Sequence, residues 1–259
     1  MGHIISVFTN KGGVAKTTTT LSLGHALSKL GVKTLVADVD SQCNCTDPLI
    51  GLDPQNNLMD VLNGVLDIEK CVRPIGFQKG LFCLPNTSAL GTIEPKLIRM
   101  GAPGFVVLRD KIQDYCRNNF DVTIIDCPPN HGIMTINALI ASDLAIVPTE
   151  AGSRNSINGL LSALEFIDDI KNEANSNLKF LKLLVTKLDS RTSIGKDSLL
   201  QLRDLFPDKI FESFIPVNVD FQYAEHQRKT IFQSNAKASG AKAYLTVAKE
   251  IIQLLEIKK

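Results

Sequence analysis

"NKGGVAKTTTT", residues 10–20, is the stretch on which the fold turns. It nearly matches the phosphate-binding pattern of Gly, four residues, then Gly-Lys-Ser/Thr. Lys16 and Thr17 supply the final pair, but Asn10 stands at the first glycine position and Ala15 at the second. Lys11 adds a second lysine inside the loop. Upstream, "HIISVFT" (3–9) reads as a buried strand; downstream, "KTTTTLSLGHALSKLG" (16–31) reads as a helix ending at Gly31. A strand running straight into a glycine-rich turn and a helix is the context the motif requires. Successive backbone N–H groups around Gly12 and Gly13 then point inward at phosphate oxygens, helped by the helix N-terminus. Lys16 would reach the β- and γ-phosphates, and the Thr17 hydroxyl would serve Mg²⁺. The plainer alternative, a glycine-rich turn with incidental lysines, leaves the Lys-Thr pair and the strand ends described below without a reason.

The rest of the chain repeats this alternation. "KTLVADVD" (33–40) and "GLFCLP" (80–85) read as strands, "FVVLRDKIQDYCRNN" (105–119) as a helix and "DVTIIDCP" (121–128) as a strand. "DLAIVPT" (143–149) is a further strand before the helix "SINGLLSALEFIDDIKNE" (156–173). "LKFLKLLVTKLD" (178–189) gives a strand, "SIGKDSLLQLRDLF" (193–206) a helix, and "KIFESFIP" (209–216) the last strand. "SGAKAYLTVAKEIIQLLE" (239–256) closes the chain as a helix whose stripe of Tyr244, Leu245, Ala248, Ile251, Ile252 and Leu255 reads as core packing. Near-continuous apolar strands alternating with helices predict an α/β fold: a mostly parallel, doubly wound sheet with helices on both faces, of the P-loop NTPase type. Ligands of such sheets bind at the carboxyl ends of the strands.

Composition narrows the classes. With 259 residues the chain is long enough for one α/β domain spanning 1–259. Trp is absent and aromatic residues make up only 6%, so a base-stacking platform is not expected. The formal net charge of +1 argues against a wholly basic nucleic-acid binder but leaves room for a local patch. Cys43, Cys45, Cys71, Cys83, Cys116 and Cys127 are scattered, and His3, His25, His131 and His226 fall in no ligand pattern, so reduced thiols and no metal cluster are expected. No targeting segment and no apolar run of membrane-spanning length is visible, which predicts a cytoplasmic protein.

"KGGVAKTT" resembles the deviant phosphate loop of the ParA/MinD ATPases, written K-G-G-x-G-K-S/T. That pattern lacks the usual first glycine, so Asn10 is no defect, and its signature lysine, here Lys11, is the one that reaches across a dimer interface to the partner's nucleotide. The resemblance assigns Lys11, Gly12, Gly13, Val14, Ala15, Lys16, Thr17 and Thr18 to ATP. Ala15 departs from the family glycine. It immediately precedes the helix, so a helical φ is expected there, at which alanine costs little. "VADVDSQCNCT" (36–46) is similar to the family's D-x-D-P-Q-x-N-x-T stretch, with Ser41 in place of Pro. Asp40 then corresponds to the residue that orients the attacking water, whereas Asp38 reads as a solvated strand end. "DVTIIDCPPN" (121–130) looks like the family's Walker B strand, with Asp126 as its carboxylate. The resemblance thus makes Lys11, Lys16, Asp40 and Asp126 the catalytic set, and Thr17, Asp40 and Asp126 the residues around Mg²⁺. "VTKLDSR" (185–191) and "IPVNVDFQYAE" (215–225) resemble the strand ends that wrap adenine, with Pro216 and Asn218 at the matching positions.

The resemblance runs along nearly the whole chain and implies a slow, partner-stimulated ATPase that forms a homodimer with ATP. ParA-like members bind DNA non-specifically and position a plasmid, chromosome or other cargo that carries a ParB-like or other stimulatory protein. From residue 225 onward seven Lys/Arg face three Glu, a formal +4, and Arg191, Arg203, Arg228, Lys237 and Lys242 are candidate DNA contacts. With no helix-turn-helix segment before the loop, the chain is similar to the short ParA type, expected to be nucleoid-associated. MinD-like members reach membranes through an amphipathic C-terminal helix. The ending "IIQLLEIKK" continues the closing helix without a linker, so no membrane partner is expected. An iron–sulfur member of the superfamily would need paired cysteines near the nucleotide, and only Cys127, beside Asp126, is so placed.

Overall fold

The computed structural model describes residues 1–150 and 154–258. Lys259, counted in the basic C-terminal stretch, lies outside them. The strands are β1 (His3–Val7), β2 (Thr34–Asp38), β3 (Arg73–Pro74), β4 (Leu81–Leu84), β5 (Val122–Asp126), β6 (Leu144–Glu150) and β7 (Lys179–Thr186). The α-helices are α1 (Lys16–Lys29), α2 (Thr46–Ile50), α3 (Leu58–Leu62), α4 (Glu94–Arg99), α5 (Val107–Asn119), α6 (Ile133–Ala141), α7 (Arg154–Glu173), α8 (Ser193–Leu205), α9 (Asp220–His226), α10 (Ile231–Asn235) and α11 (Ser239–Leu254).

The seven strands lie in the order β3-β4-β2-β5-β1-β6-β7, parallel throughout except for β3. Each central strand sends alternate residues to opposite faces. From β1 and the residue after it, Ile4 and Phe8 join the core under α5, α6 and α7, while Ile5 and Val7 join the core under α1 and α11. β6 divides the same way, Ala145 and Val147 against Leu144 and Ile146. Burial on both faces is why these strands read as continuous apolar runs, and the doubly wound α/β architecture follows.

Two local expectations are corrected, and one strand is new. Residues 209–216 form no strand. They make only isolated bridges, Leu183 with Ile210 and Leu188 with Pro216. Phe211 and Ile215 still donate to the Leu183 and Val185 carbonyls, but between them the Glu250 carboxylate of α11 accepts the N–H groups of Glu212 (2.9 Å) and Ser213 (3.0 Å), and Pro216 has none to give. The short edge strand β3, antiparallel to β4, carries no alternating signal in two residues. The helix placed at 105–119 begins at Val107, after a 3₁₀ turn over Ala102–Phe105. No helix among the described residues is long and apolar enough to cross a membrane.

Candidate nucleotide site

Three neighbouring strands deliver the site. Register pairs Val7 of β1 and Asp38 of β2 with Asp126 of β5, so the segments leaving β1, β2 and β5 emerge side by side at the carboxyl edge of the sheet. A cleft of about 740 Å³ opens there, a size suited to a nucleotide. Gly12, Gly13, Ala15, Lys16, Thr17, Thr18, Asp40, Pro216 and Asn218 line it, which brings together segments more than 170 residues apart in the chain. Val14 is buried beneath the loop. Lys11 is outside the lining, with its ammonium 4.0 Å from the Glu150 carboxylate.

Ala15 does not have the helical φ expected of it. Its φ of 66° and ψ of 36° are left-handed, as is Gly13 at φ 76°. Ala15 is the residue that caps α1, and a cap residue is by nature outside the helix's dihedrals. The methyl group therefore costs on the order of 1 kcal/mol that a glycine would not. Strain of this kind persists where neighbours fix the backbone. Here the Lys16 ammonium donates to the Lys11 carbonyl (3.0 Å), the Lys187 ammonium to the Gly13 carbonyl (2.6 Å) and the Thr186 hydroxyl to the Val14 carbonyl (3.2 Å).

The threonine run after the loop divides its work by helical angle. Thr17 and Thr20, one turn apart, donate to the two oxygens of Asp126 at 2.8 and 2.9 Å. Thr19 faces the other way and shares a 2.9 Å hydrogen bond with the Tyr244 hydroxyl of α11. Burial pushes the Asp126 carboxyl up, and the two threonine hydroxyls pull it partly back. Burial lowers the Lys16 ammonium, offset in part by Asp126, Cys127 and Asp40. Thr17 and Asp40 thus line the cleft with Lys16, while Asp126, fully buried and outside the lining, stands behind Thr17. That donor set fits Mg²⁺, which takes oxygen ligands and keeps several waters.

Asp38 is no solvated strand end. It is fully buried, and its carboxylate accepts the N–H groups of Asp40, Cys45 and Thr46 and the Thr46 hydroxyl. Burial, reinforced by the nearby Asp126 charge, raises its pKa, while the Thr46 bonds oppose the rise. Its work is to shape the turn that presents Asp40. Asn86, also buried, donates from its side chain to the Asp40 carbonyl (3.1 Å) and from its backbone to the Thr46 hydroxyl (2.9 Å). Asn86 carries no recognisable local motif; Thr46 stands at the last position of the stretch 36–46 and Thr186 and Lys187 lie in "VTKLDSR", but that resemblance assigns none of them a role. Tyr244 was taken only for core, although its spacing on the closing helix was evident.

Elsewhere in the cleft lining, the Asn218 side chain donates to the Ser239 hydroxyl (2.8 Å) and accepts from the Asp220 N–H (2.7 Å). Of the basic candidates, Arg228 lines the cleft and lies 3.5 Å from Asp47. Arg191 is paired bidentately with Asp189, and Arg203 donates to the Glu212 carbonyl. Lys237 and Lys242 are solvent-exposed. All six cysteines are unbridged and buried, and burial raises their pKa values, those of Cys43 and Cys127 to about 12.

Known proteins carry the same plan. An AAA domain family model matches residues 2–180. The sporulation initiation inhibitor protein Soj of Bacillus subtilis is 32% identical over 254 residues, covering 97% of this chain and 98% of that protein. The chromosome partitioning protein ParA of Caulobacter vibrioides is 30% identical over 253 residues, with 96% and 94% covered. Among solved structures, cobyrinic acid a,c-diamide synthase from Mycobacterium smegmatis with bound ADP and magnesium superposes with a TM-score of 0.84. It is 30% identical, with 100% of this chain and 97% of that one covered. A lysine-bearing phosphate loop meeting two strand-end carboxylates, in a chain matched almost end to end by these relatives, places the protein in the ParA/MinD-type family of P-loop ATPases.

Proposed function

We propose that the chain is a ParA-type, Mg²⁺-dependent ATPase, acting as one domain, that closes into an ATP sandwich dimer and binds DNA without sequence preference. The observation that carries this reading is the assembly of the Lys11-bearing loop, Asp40 and Asp126 at the ends of three adjacent strands. Inward N–H groups of the loop and the Lys16 ammonium hold the phosphates, with Lys16 exchanging its Lys11 carbonyl for phosphate oxygen. Thr17, Asp40 and Asp126 would hold Mg²⁺, which would supply neutralisation of charge at the phosphates. Thr17 and Asp126 hold the metal side of the site, Asp40 orients the attacking water, and Pro216 and Asn218 border the adenine. Lys11, its ammonium 4.0 Å from the Glu150 carboxylate at the cleft, is assigned to the partner's nucleotide.

In this reading the closed dimer joins two faces bearing Lys237 and Lys242 into one surface for the phosphate backbone, and nucleoid association follows. Relatives named for chromosome partitioning support a cargo-positioning role, with a ParB-like or other cargo-bound protein stimulating slow hydrolysis. The test is binding of short duplexes of unrelated sequence at several salt concentrations, with ADP and with a non-hydrolysable ATP analogue. Binding is expected only with the analogue and equally for all sequences. Its log affinity should fall by about 0.9 per phosphate neutralised per decade of salt. Equal binding with both nucleotides rejects the switch. ATP-dependent sedimentation on anionic vesicles without DNA binding assigns the chain to a MinD-like membrane role.

A further inference from the structure

We propose that Lys187 is a positioning residue that clamps the phosphate loop, and that this clamp is what allows the loop to carry Ala15 at a left-handed position. The inference rests on the cleft being the ATP site and adds a component that no loop motif contains. Lys187 follows directly on β7, 174 residues after Gly13, and is solvent-exposed. A surface lysine gains little by leaving water, yet its ammonium lies 2.6 Å from the Gly13 carbonyl. A charge-assisted bond of that length is about twice as strong as a neutral one. The adjacent Thr186 hydroxyl holds the next carbonyl, that of Val14, so two successive residues of one strand end grip two successive carbonyls of the loop.

The gripped segment is the strained one. Gly13 at φ 76° and Ala15 at φ 66° flank Val14, and only the glycine adopts that region without cost. Lys187 is itself left-handed, at φ 51°. A second strained residue is thus spent on bringing the ammonium to the loop. The contact has an electronic consequence as well. The Gly13 carbonyl belongs to the same peptide unit as the Val14 N–H, so a cation on the oxygen polarises that N–H as a donor to phosphate. Lys187 therefore both holds the loop in its phosphate-binding shape and sharpens one of its donors.

A double-mutant cycle on Ala15 and Lys187 tests this, read as the dissociation constant of a fluorescent ATP analogue with Mg²⁺. Lys187→Met should weaken binding by about 10-fold or more in the natural chain. In the Ala15→Gly background, where the loop is relaxed, the same change should cost less than about 3-fold. Lys187→Arg, which can still donate to the Gly13 carbonyl, should restore most of the affinity. Equal losses in the two backgrounds, a larger loss in the Ala15→Gly background, or no loss in either overturns the clamp. A Lys16→Ala protein is measured alongside. If it binds the analogue like the parent, the cleft itself is not the ATP site; if it does not bind, the cycle judges Lys187 alone.

Discussion

Asp40 stands on a scaffold of other residues' hydrogen bonds: the Asp38 carboxylate takes its N–H, Asn86 takes its carbonyl, and its own carboxylate accepts the Gln42 N–H at 3.0 Å. A group so held can lose its carboxylate without disturbing the phosphate loop. Asp40→Ala should therefore bind ATP and dimerise like the parent while hydrolysis falls by about 100-fold, the range a positioned general base contributes. Steady-state phosphate release checks this, and normal turnover moves the water-orienting role to another residue. His25 has a different sensitivity. Its Nδ1 lies 2.7 Å from the Thr230 hydroxyl, with Phe77 and Phe232 against the ring. Burial, with a smaller push from Lys29, lowers its pKa from 6.5 to about 4. As pH falls, the unfolded chain takes up this proton near 6.5 and the folded chain only near 4. Stability is therefore full above 6.5 and declines through that window, by roughly 3 kcal/mol from this one group. Urea unfolding at pH 7.5 and 4.5 should show a smaller acid loss for His25→Gln than for the parent; equal losses would assign the effect to other groups.

Among the elements, the connection from 209 to 216 shows how a side chain can replace a ladder. Glu250 of α11 takes the N–H groups of Glu212 and Ser213, interrupting the ladder between the bonds that Phe211 and Ile215 make to β7. Glu250→Ala should cost about 1–2 kcal/mol and speed amide exchange at Glu212 and Ser213, with the central strands unaffected. Unchanged exchange there would mean that the apolar anchors Ile210, Phe211 and Ile215 hold the segment unaided. The same case marks what a sequence conveys. β1, β2, β5, β6 and β7 were legible because burial on both faces writes itself as apolar runs, and the loop's position followed from the strand before it and the helix after it. Residues 209–216 misled because they have a strand's composition, while the partner that breaks the ladder lies 38 residues away. Ala15 misled because adjacency to a helix was taken for membership of it. Asn86 and Lys187 matter through contacts made at long range in the chain, on which local pattern is silent, and Asp38 matters through backbone donors two to eight residues on, which side-chain pattern does not show.

At the scale of the molecule, the order β2-β5-β1 makes the site a property of the sheet rather than of any one loop. Lys11, which the proposed dimer assigns to the partner's nucleotide, is the exception. Lys11→Ala should bind ATP within about 3-fold of the parent, because the loop's backbone donors and Lys16 remain, yet lose the ATP-dependent dimer. Light scattering with ATP decides the matter: a variant that dimerises like the parent removes the cross-interface role. The bond between Thr19 and Tyr244 spans 225 residues and ties the helix behind the phosphate loop to the closing helix. The cleft lining likewise runs from Gly12 to Tyr244. Because residues of the loop and Tyr244 share one cleft, loosening of α11 from α1 would open the site to water without moving a residue of the phosphate loop.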